Sequence, residues 1–528
     1  MTKVAIYDTT LRDGTQREGI SLSVADKLRV TRMLDDLGVA YIEGGWPGSN
    51  PKDAAYFEQV KAIPLKTAKI AAFGSTRRKN GDVATDPNII ALVEADTPVV
   101  TLVGKTSMLH VTEVLQTTPE ENLHMIAESV RYFKGLGKEV IYDAEHFFDG
   151  VKLDFEYGFD TLRAAFEAGA DCLCLCDTNG GSLPWEVARF VTAARELFPE
   201  AKIGIHTHND GELAVANSLA AVQAGASQVQ GTINGYGERC GNANLCSIIP
   251  DLQLKMGYDC LPSRDLYHLT AVSRTVAEIA NLAPDNHLAY VGKSAFAHKG
   301  GIHVAAMRRN INSYQHIEPE LVGNEMRILV SDLSGQGNLL SKAEEFGLDV
   351  STTEAVKVLE EIKRLESQGY VFEGAEASVA VRLHRAKPDY QPIFSLVDFT
   401  VIVEERRGRG SLAQAMVKLE IDGEIAHTAG EGNGPVNALD LALRKALIGR
   451  YPQIADFQLA DYKVRILDGE NGTAAVTRVM IETQNHHQRW SSVGAGANII
   501  RASWLALADS VEYGLCIAPE RETKRAEA

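Results

Sequence analysis

Basic charge, cysteine and long apolar runs are all scarce in this chain. Its 528 residues hold 53 Lys and Arg against 70 Asp and Glu, so the formal net charge is -17. That balance argues against a nucleic-acid or anionic-membrane partner, because both need a basic face. No apolar run approaches the roughly 18 residues of a membrane span, and no basic and apolar signal region precedes the first predicted strand. The seven cysteines are typical of reduced thiols rather than of a disulfide framework, so a cytoplasmic protein is predicted.

The first half of the chain carries a regular repeat. Short apolar segments recur about every 30 residues, which is the size of a βα unit. These strand-like segments are Val4–Tyr7, Ala40–Glu43, Lys69–Phe73, Val99–Val103, Glu139–Tyr142, Cys172–Cys176, Lys202–Ile205 and Gln228–Ile233. Helical patterns between them include Val24–Leu37, Glu120–Leu136, Phe155–Ala168, Trp185–Phe198 and Leu213–Ala224. The alternation predicts an α/β fold, a (β/α)₈ TIM barrel over residues 1–265, with a doubly wound sheet as the alternative.

Polar residues with chemical potential follow the predicted strands. In a (β/α)₈ barrel the chemistry sits after the carboxyl ends of the strands. The residues found there are Arg12, Asp13, Glu43, Glu145, Asp177, Thr178, His206, His208, Glu238, Arg239 and Asn242. Their common placement predicts one active site at the mouth of the barrel.

The run His206-Thr207-His208 predicts a metal site. Two imidazoles at i and i+2 share a face of an extended segment. With the Asp13 carboxylate and the Asn242 carbonyl they make a mixed nitrogen and oxygen set that suits Mg²⁺, Mn²⁺ or Zn²⁺. The alternative is that the histidines cap the strand by hydrogen bonding.

Three motifs resemble one enzyme family. The runs LRDGTQ (residues 11–16), HTHND (206–210) and GYGERCGNANL (235–245) are similar to the signatures of the 2-isopropylmalate, homocitrate and citramalate synthases. The resemblance covers nearly the whole chain. It implies a metal-dependent barrel acyltransferase that condenses acetyl-CoA with an α-keto acid. The family usually has a glycine two residues after the aspartate of the second motif, whereas Gly211 follows Asp210 directly here.

The chemistry and the resemblance together suggest roles for the site residues. Arg12 would stabilise the alkoxide that forms as the keto carbonyl is attacked. Glu145 is the candidate base that removes a proton from the acetyl methyl group. The alternative is that Glu145 is an ordinary surface carboxylate of a βα loop. The run FAHKGGIH (residues 296–303) resembles a family motif that implies His303 as a catalytic histidine, contributed by the linker of a partner subunit. Where the family has an aspartate two residues later, this chain has Ala305.

A substrate-binding set follows from the same resemblance. It comprises Arg12, Gln16, Glu43, Thr178 and Tyr314. Thr178 resembles a residue that contacts the keto-acid carboxylate. For Glu43 the favoured interpretation is a partner that holds Arg12. Cys172, Cys174 and Cys176 alternate along the sixth predicted strand and are interpreted as apolar filler of the barrel rather than as metal ligands.

The repeat stops after the barrel. Residues 266–391 are predicted to form linker subdomains, with helices at Leu266–Ala280 and Thr353–Gln368 and an extended segment near Ala377–His384. Residues 392–519 show two rounds of strands, a Gly-rich turn and a helix, which suggests a βββα pseudo-repeat. This part resembles the C-terminal regulatory and dimerisation domain of the family, which implies a homodimer and an amino-acid effector. The charged residues 520–528 are expected to be disordered.

Two runs indicate which keto acid is used. EGGWPGSNPKD (residues 43–53) and YDAEHFFDG (142–150) resemble the citramalate members of the family, which implies pyruvate as the acceptor and isoleucine as the effector. The nearest alternative is isopropylmalate synthesis from 2-ketoisovalerate. More distant ones are a hydroxyacyl-CoA lyase and a non-catalytic amino-acid sensor.

Overall fold

A computed structural model describes residues 2–261, 263–407 and 410–519. The chain divides into two compact units, one made of residues 1–296 and 317–325 and the other of residues 297–316 and 326–528. The segment 520–528, predicted to be disordered, lies outside the described residues. Across the described part of the chain, every helix is too short or too polar to cross a membrane.

The first unit is built on a closed barrel of parallel strands. In chain order these are β1 (Ala5–Asp8), β2 (Tyr41–Gly45), β3 (Lys69–Ser75), β4 (Val99–Lys105), β5 (Glu139–Glu145), β6 (Cys172–Asp177), β7 (Lys202–Thr207) and β8 (Gln228–Gly231). Each strand pairs with the next along the chain, and β1 closes the barrel against β8 with Tyr7 opposite Gln230. The predicted (β/α)₈ barrel is therefore confirmed.

Helices cover the outside of this barrel. They are α1 (Val24–Leu37), α2 (Pro51–Val60), α3 (Pro87–Ala95), α4 (Pro119–Gly135), α5 (Phe147–Leu153), α6 (Phe155–Glu167), α7 (Pro184–Leu197), α8 (Ala214–Gln223), α9 (Leu245–Pro250) and α10 (Leu269–Ile279). Local sequence signals set their ends. Ser23 and Asp26 form a capping box at the start of α1, and Gly38 ends it with φ 95°.

The barrel interior holds the three alternating cysteines. Cys172, Cys174 and Cys176 are buried and pack with residues such as Tyr7 and Ile141. Burial raises the pKa of all three thiols, that of Cys176 to about 11. The Asp143 carboxylate lies near two of them, and all three cysteines belong to a buried apolar cluster, so apolar filling of the barrel stays the favoured interpretation.

The second unit begins with small elements and helices. They are β9 (Ala297–His298), α11 (Gly301–Met307), β10 (Arg327–Ile328), α12 (Gln336–Glu345), α13 (Thr352–Ser367) and α14 (Glu376–Arg385). The prediction of an extended segment near Ala377–His384 was wrong, because α14 occupies it. Residues 377–383 are all buried, so the helix lacks the polar stripe that would have revealed its period.

Two copies of one motif complete the second unit. The first has β11 (Ser395–Arg406), β12 (Gly410–Ile421), β13 (Glu424–Gly432) and α15 (Pro435–Leu447); the second has β14 (Gln458–Ile466), β15 (Thr477–Gln484), β16 (Arg489–Gly496) and α16 (Ile499–Glu512). Each sheet is antiparallel and three-stranded, in chain order. The predicted βββα pseudo-repeat is confirmed.

Candidate active site

The carboxyl ends of the barrel strands surround a cavity of about 780 Å³. Residues predicted for the site line it together: Arg12, Asp13, Gln16, Glu145, Thr178 and His208. They lie at or just after the ends of four strands, β1, β5, β6 and β7, so the fold gathers them from more than 190 residues of sequence. Parallel strands in a closed barrel all end at the same face, which is why separate motifs meet here.

Asp13, His206 and His208 form a buried cluster at this end of the barrel. Their ligand atoms lie within 4.8 Å of one another. Asp13 Oδ2 is 3.5 Å from His206 Nε2 and 3.9 Å from His208 Nε2, and the two Nε2 atoms are 3.3 Å apart. Three atoms that can donate electron pairs converge on one point, which is the arrangement that a divalent cation requires.

Orphaned oxygens beside the cluster also fit a cation. Asp13 Oδ1 and Asn242 Oδ1 are buried and have no hydrogen-bond partner among the described residues. The Asn242 amide nitrogen lies 3.2 Å from His206 Nε2. A buried oxygen without a partner is costly, and a bound cation would satisfy both atoms. The predicted ligands therefore fit a metal on geometry as well as on residue type.

The protonation of the cluster suits metal binding. Burial lowers the pKa of His208 to about 4, with the His206 ring adding to the effect, so this imidazole is neutral at pH 7. Burial acts to raise the pKa of Asp13, but Arg12 and the two histidines outweigh it and the pKa is lowered. A neutral imidazole and an ionised carboxylate are the forms that coordinate a metal.

Two residues that sequence reasoning missed orient His206. Its Nδ1 lies 2.9 Å from Gln230 Oε1, and the Gln230 amide donates to Asp143 Oδ1 at 2.9 Å. This contact places the ring hydrogen on Nδ1 and leaves Nε2 facing the cluster. The sequence gives only a weak indication of their role: Asp143 on β5 and Gln230 on β8 are polar residues at buried strand positions.

Arg12 is held rigidly next to the cluster. Its Nε donates to Glu43 Oε2 at 2.6 Å, its Nη1 contacts Asp13 Oδ2 at 3.0 Å, and its guanidinium lies 3.9 Å above the Phe73 ring. Burial acts to lower the pKa of Arg12, but Glu43 and Asp13 more than offset this and raise it. Arg12 is therefore a permanent cation in the cavity wall.

Glu43 lies beneath Arg12, fully buried. Its carboxylate accepts hydrogen bonds from the Tyr7 hydroxyl at 2.6 Å, the Thr9 hydroxyl at 2.5 Å and Arg12. These three donors account for both oxygens, and Glu43 is not among the residues that line the cavity. The geometry supports the interpretation that Glu43 holds Arg12.

Glu145 ends β5 at the cavity wall and forms an ion pair with Lys105, the last residue of β4. Lys105 was not predicted from the sequence.

Thr178 also lines the cavity, and its hydroxyl accepts a hydrogen bond from the backbone N–H of His146 at 2.9 Å. That contact ties the loop after β6 to the end of β5.

His303 and Tyr314 belong to the second unit. Their rings stack on each other at 4.2 Å between centroids. The structure thus brings these two predicted residues together, and their roles in the reaction stay predictions.

In the loop after β7, Glu212 stands where the family usually has its glycine. Glu212 adopts φ 58°, in the left-handed region that glycine usually occupies. Gly211 donates its backbone N–H to the carbonyl of Gly180 at 3.1 Å. The shift of the glycine by one position therefore leaves a residue with a Cβ in the left-handed region.

Comparison with known families defines the class of protein. Residues 3–276 match the HMGL-like family, residues 290–370 match the homocitrate synthase post-HMGL domain-like family, and residues 373–515 match the LeuA allosteric (dimerisation) domain. A metal-dependent HMGL-like barrel enzyme with a LeuA domain is thus the class that fold and site define.

Full-length relatives narrow this class. The chain is 53% identical to an (R)-citramalate synthase of Geobacter sulfurreducens, over 99% of both chains. It is 52% identical to those of Aquifex aeolicus, over 97% of this chain and 98% of the relative, and of Synechocystis, over 97% and 96%. The chain belongs to the (R)-citramalate synthase family. The family predicted from its motifs is therefore confirmed.

Proposed function

We propose that this chain condenses acetyl-CoA with pyruvate, giving (R)-citramalate and CoA. The observation that carries the proposal is one cavity lined by Asp13 and His208 of the candidate metal cluster and by the Glu145 carboxylate. The full-length relatives named (R)-citramalate synthase support pyruvate as the acceptor. A Probable 2-isopropylmalate synthase of Methanopyrus kandleri is similar at only 32% identity.

The cluster would hold the metal through Asp13, His206 and His208, with Asn242 as a further ligand. Mn²⁺ and Mg²⁺ are the favoured ions and Zn²⁺ is the alternative. When bound, the metal supplies a Lewis acid that polarises the keto carbonyl of pyruvate. Gln230 keeps His206 in the tautomer that ligation needs.

Arg12 and Glu145 would carry the charge and the proton of the reaction. Glu145 takes a proton from the acetyl methyl group: a C–H bond breaks, an O–H bond forms on the carboxylate, and the electron pair attacks the keto carbon of pyruvate. Arg12 stabilises the negative charge that develops on the keto oxygen. The alkoxide takes up a proton while Glu145 returns one and becomes a carboxylate again. Water then cleaves the thioester, so that the acyl carbon keeps the water oxygen as a carboxylate and CoA leaves as the thiol. The resemblance predicts a catalytic role for His303. It predicts substrate-binding roles for Gln16, Thr178 and Tyr314.

A basic stretch at the cavity supports acetyl-CoA as the other substrate. Arg77, Arg78 and Lys79 line the cavity with the apolar residues Val114 and Leu115. Arg77 is fixed by Glu121 and Glu128. Arg77 is buried, whereas Arg78 and Lys79 are exposed. Two exposed cations next to an apolar wall match the phosphates and the pantetheine arm of CoA, since phosphate groups prefer arginine and lysine.

The deciding experiment is CoA release, followed with a thiol reagent. Acetyl-CoA is incubated with a panel of α-keto acids, each with Mn²⁺ or Mg²⁺ and again with a chelator. Metal-dependent release with pyruvate alone is the expected result. A preference for 2-ketoisovalerate would replace the substrate and keep the mechanism. Absence of release with every acid would disprove the synthase function.

Glu145→Gln is expected to lower kcat by about 10²–10⁴-fold, the usual contribution of a general base. The KM for pyruvate should change little, because the amide keeps the shape of the side chain and no pyruvate contact is assigned to it. Steady-state CoA release measures both constants. Glu139→Gln, at the opposite end of β5, is the matched control; equal activity of the two variants would remove Glu145 from the mechanism.

A second copy of the chain is the proposed partner, through the LeuA domain. Several large apolar side chains are exposed on its sheets, and their burial against a partner would be favourable. They include Val397 and Val403 on β11, Ile425 on β13 and Ile466 on β14. We infer that these sheets lie in a homodimer interface.

Ile402→Glu on β11 is expected to shift the protein from dimer to monomer, since Ile402 is 44% exposed and a charge buried at an interface is costly. Light scattering after gel filtration measures the mass. Val356→Glu on α13 replaces a comparably exposed residue, at 37%, and serves as the control. A dimer of unchanged stability in the Ile402 variant would place the interface elsewhere.

Isoleucine is the proposed effector of the LeuA domain. Its addition to the CoA-release assay is the corresponding test, with leucine as the comparison amino acid. Inhibition by isoleucine at concentrations where leucine has no effect would support feedback from isoleucine synthesis.

A further inference from the structure

Lys105 and Glu145 stand opposite each other at the ends of neighbouring strands. β4 and β5 pair in a register that sets Lys105 against Glu145. The ammonium group of Lys105 pairs with Oε2 of Glu145, and each side chain is 24% exposed. Both residues line the cavity, so the ion pair lies where substrates would bind.

The main chain beneath this pair is fixed from several sides. The Asn122 amide donates to the carbonyl of Lys105 at 2.9 Å and to the Tyr157 hydroxyl at 2.8 Å. The backbone N–H of Thr106 donates to the carbonyl of Glu145 at 3.1 Å. These hydrogen bonds hold the strand ends in place, so the direction of the carboxylate depends on its side-chain contacts, among them the ion pair with Lys105.

Lys105 is the cation that pairs with this carboxylate. The titratable groups around Glu145 are Lys105, His110, His146, Asp149 and Cys176. Burial lowers the pKa of His110, and His146 and Lys105 lower it further, so this ring is neutral at pH 7. It stacks on His146 at 3.8 Å. The raised pKa of Cys176 keeps that thiol neutral as well.

We propose that Lys105 is the positioning residue that aims the Glu145 carboxylate at the methyl group of acetyl-CoA. The proposal rests on the function proposed above, in which Glu145 is the base. Lys105 occupies Oε2, whereas Oε1 has no hydrogen-bond partner among the described residues. One oxygen is thus anchored and the other is left to accept the proton. A base must lie within hydrogen-bond reach of the proton that it removes, so its orientation sets the rate.

Removal of the ammonium group tests this role. Lys105→Met is expected to lower kcat by roughly 10–100-fold, because a small misplacement of a catalytic group has an effect of that size. The KM for pyruvate should change by less than about threefold, because the substitution removes no contact that binds pyruvate in the ground state. The isotope effect with trideuterated acetyl-CoA should increase, because proton abstraction becomes slower than the other steps. Lys105→Arg keeps a cation at this place and should recover most of the activity.

A double variant separates positioning from a general structural effect. In the Glu145→Gln background, Lys105→Met should cause little further loss, because residues that act as a unit are not additive. Lys69→Met removes the ion pair with Glu139 at the other end of β5 and should keep the wild-type isotope effect. Lys105→Gln replaces Lys105→Met if circular dichroism shows that the methionine variant is unfolded.

Three results would overturn the proposal. They are a kcat within about twofold of wild type in the methionine variant, an unchanged isotope effect, or a full additional loss in the Glu145→Gln background. Failure of the proposed function looks different, because wild-type protein itself would then release no CoA with pyruvate.

Discussion

Asp13→Asn is expected to give a folded protein that has lost metal binding and catalytic activity. The substitution keeps the shape of the side chain but removes the charge from a cluster in which two imidazoles lie 3.5 and 3.9 Å from the carboxylate. A bound metal contributes several kcal/mol to such a reaction, and each 1.36 kcal/mol is a factor of ten, so we expect a loss of roughly 10³-fold in kcat. Metal content after dialysis and CoA release measure the two effects.

The fold should survive this change. Arg12, which contacts Asp13, keeps its second partner Glu43, so no cation is left unpaired. Asp36→Asn, in an exposed ion pair with Lys66, is the control and should retain metal. An Asp13→Asn protein with wild-type metal content and activity within about threefold would show that the cation is bound elsewhere.

Arg12→Met is expected to remove both activity and stability. The guanidinium is the cation placed to stabilise charge on the keto oxygen, and the loss of one such group lowers kcat by about 10²–10³-fold. The change also leaves Glu43 buried without a cation. Breaking a buried pair from one side costs about 3 kcal/mol or more of the free energy of unfolding. CoA release and urea denaturation, each on metal-loaded protein, measure the two losses.

A second substitution separates these two effects. In Arg12→Met/Glu43→Gln the unpaired buried charge is gone, and the Tyr7 and Thr9 hydroxyls still have a side chain to bond with. We expect the double variant to recover part of the stability and none of the activity. Recovery of activity along with stability would mean that Arg12 acts only as a structural ion pair.

Much of the barrel and of its mouth follows from the sequence. The period of about 30 residues identified the strands, and Arg12, Asp13, Glu145 and His208 were expected together because each follows a strand. That inference works because all parallel strands of a closed barrel end at one face. The motifs also named the family, since the runs around Asp13 and His206 are specific.

Contacts between strands were not predictable in the same way. Lys105 follows no motif, and its role depends on the register that sets it against Glu145. Gln230 matters because β8 lies beside β7 and its amide reaches His206. The helix α14 was mistaken for an extended segment, because burial on every side erased its period.

The sequence by itself determined the fold of the barrel, the metal-binding residue types and the family. These depend on local patterns: apolar periodicity, a histidine pair at the end of one strand, and motifs that each occupy a short stretch of the chain. Only the tertiary structure decided which partner holds each functional group. Glu43 supports Arg12, Gln230 supports His206, and Lys105 pairs with Glu145, because strand register and side-chain packing bring together residues that lie 24 to 40 positions apart in the chain.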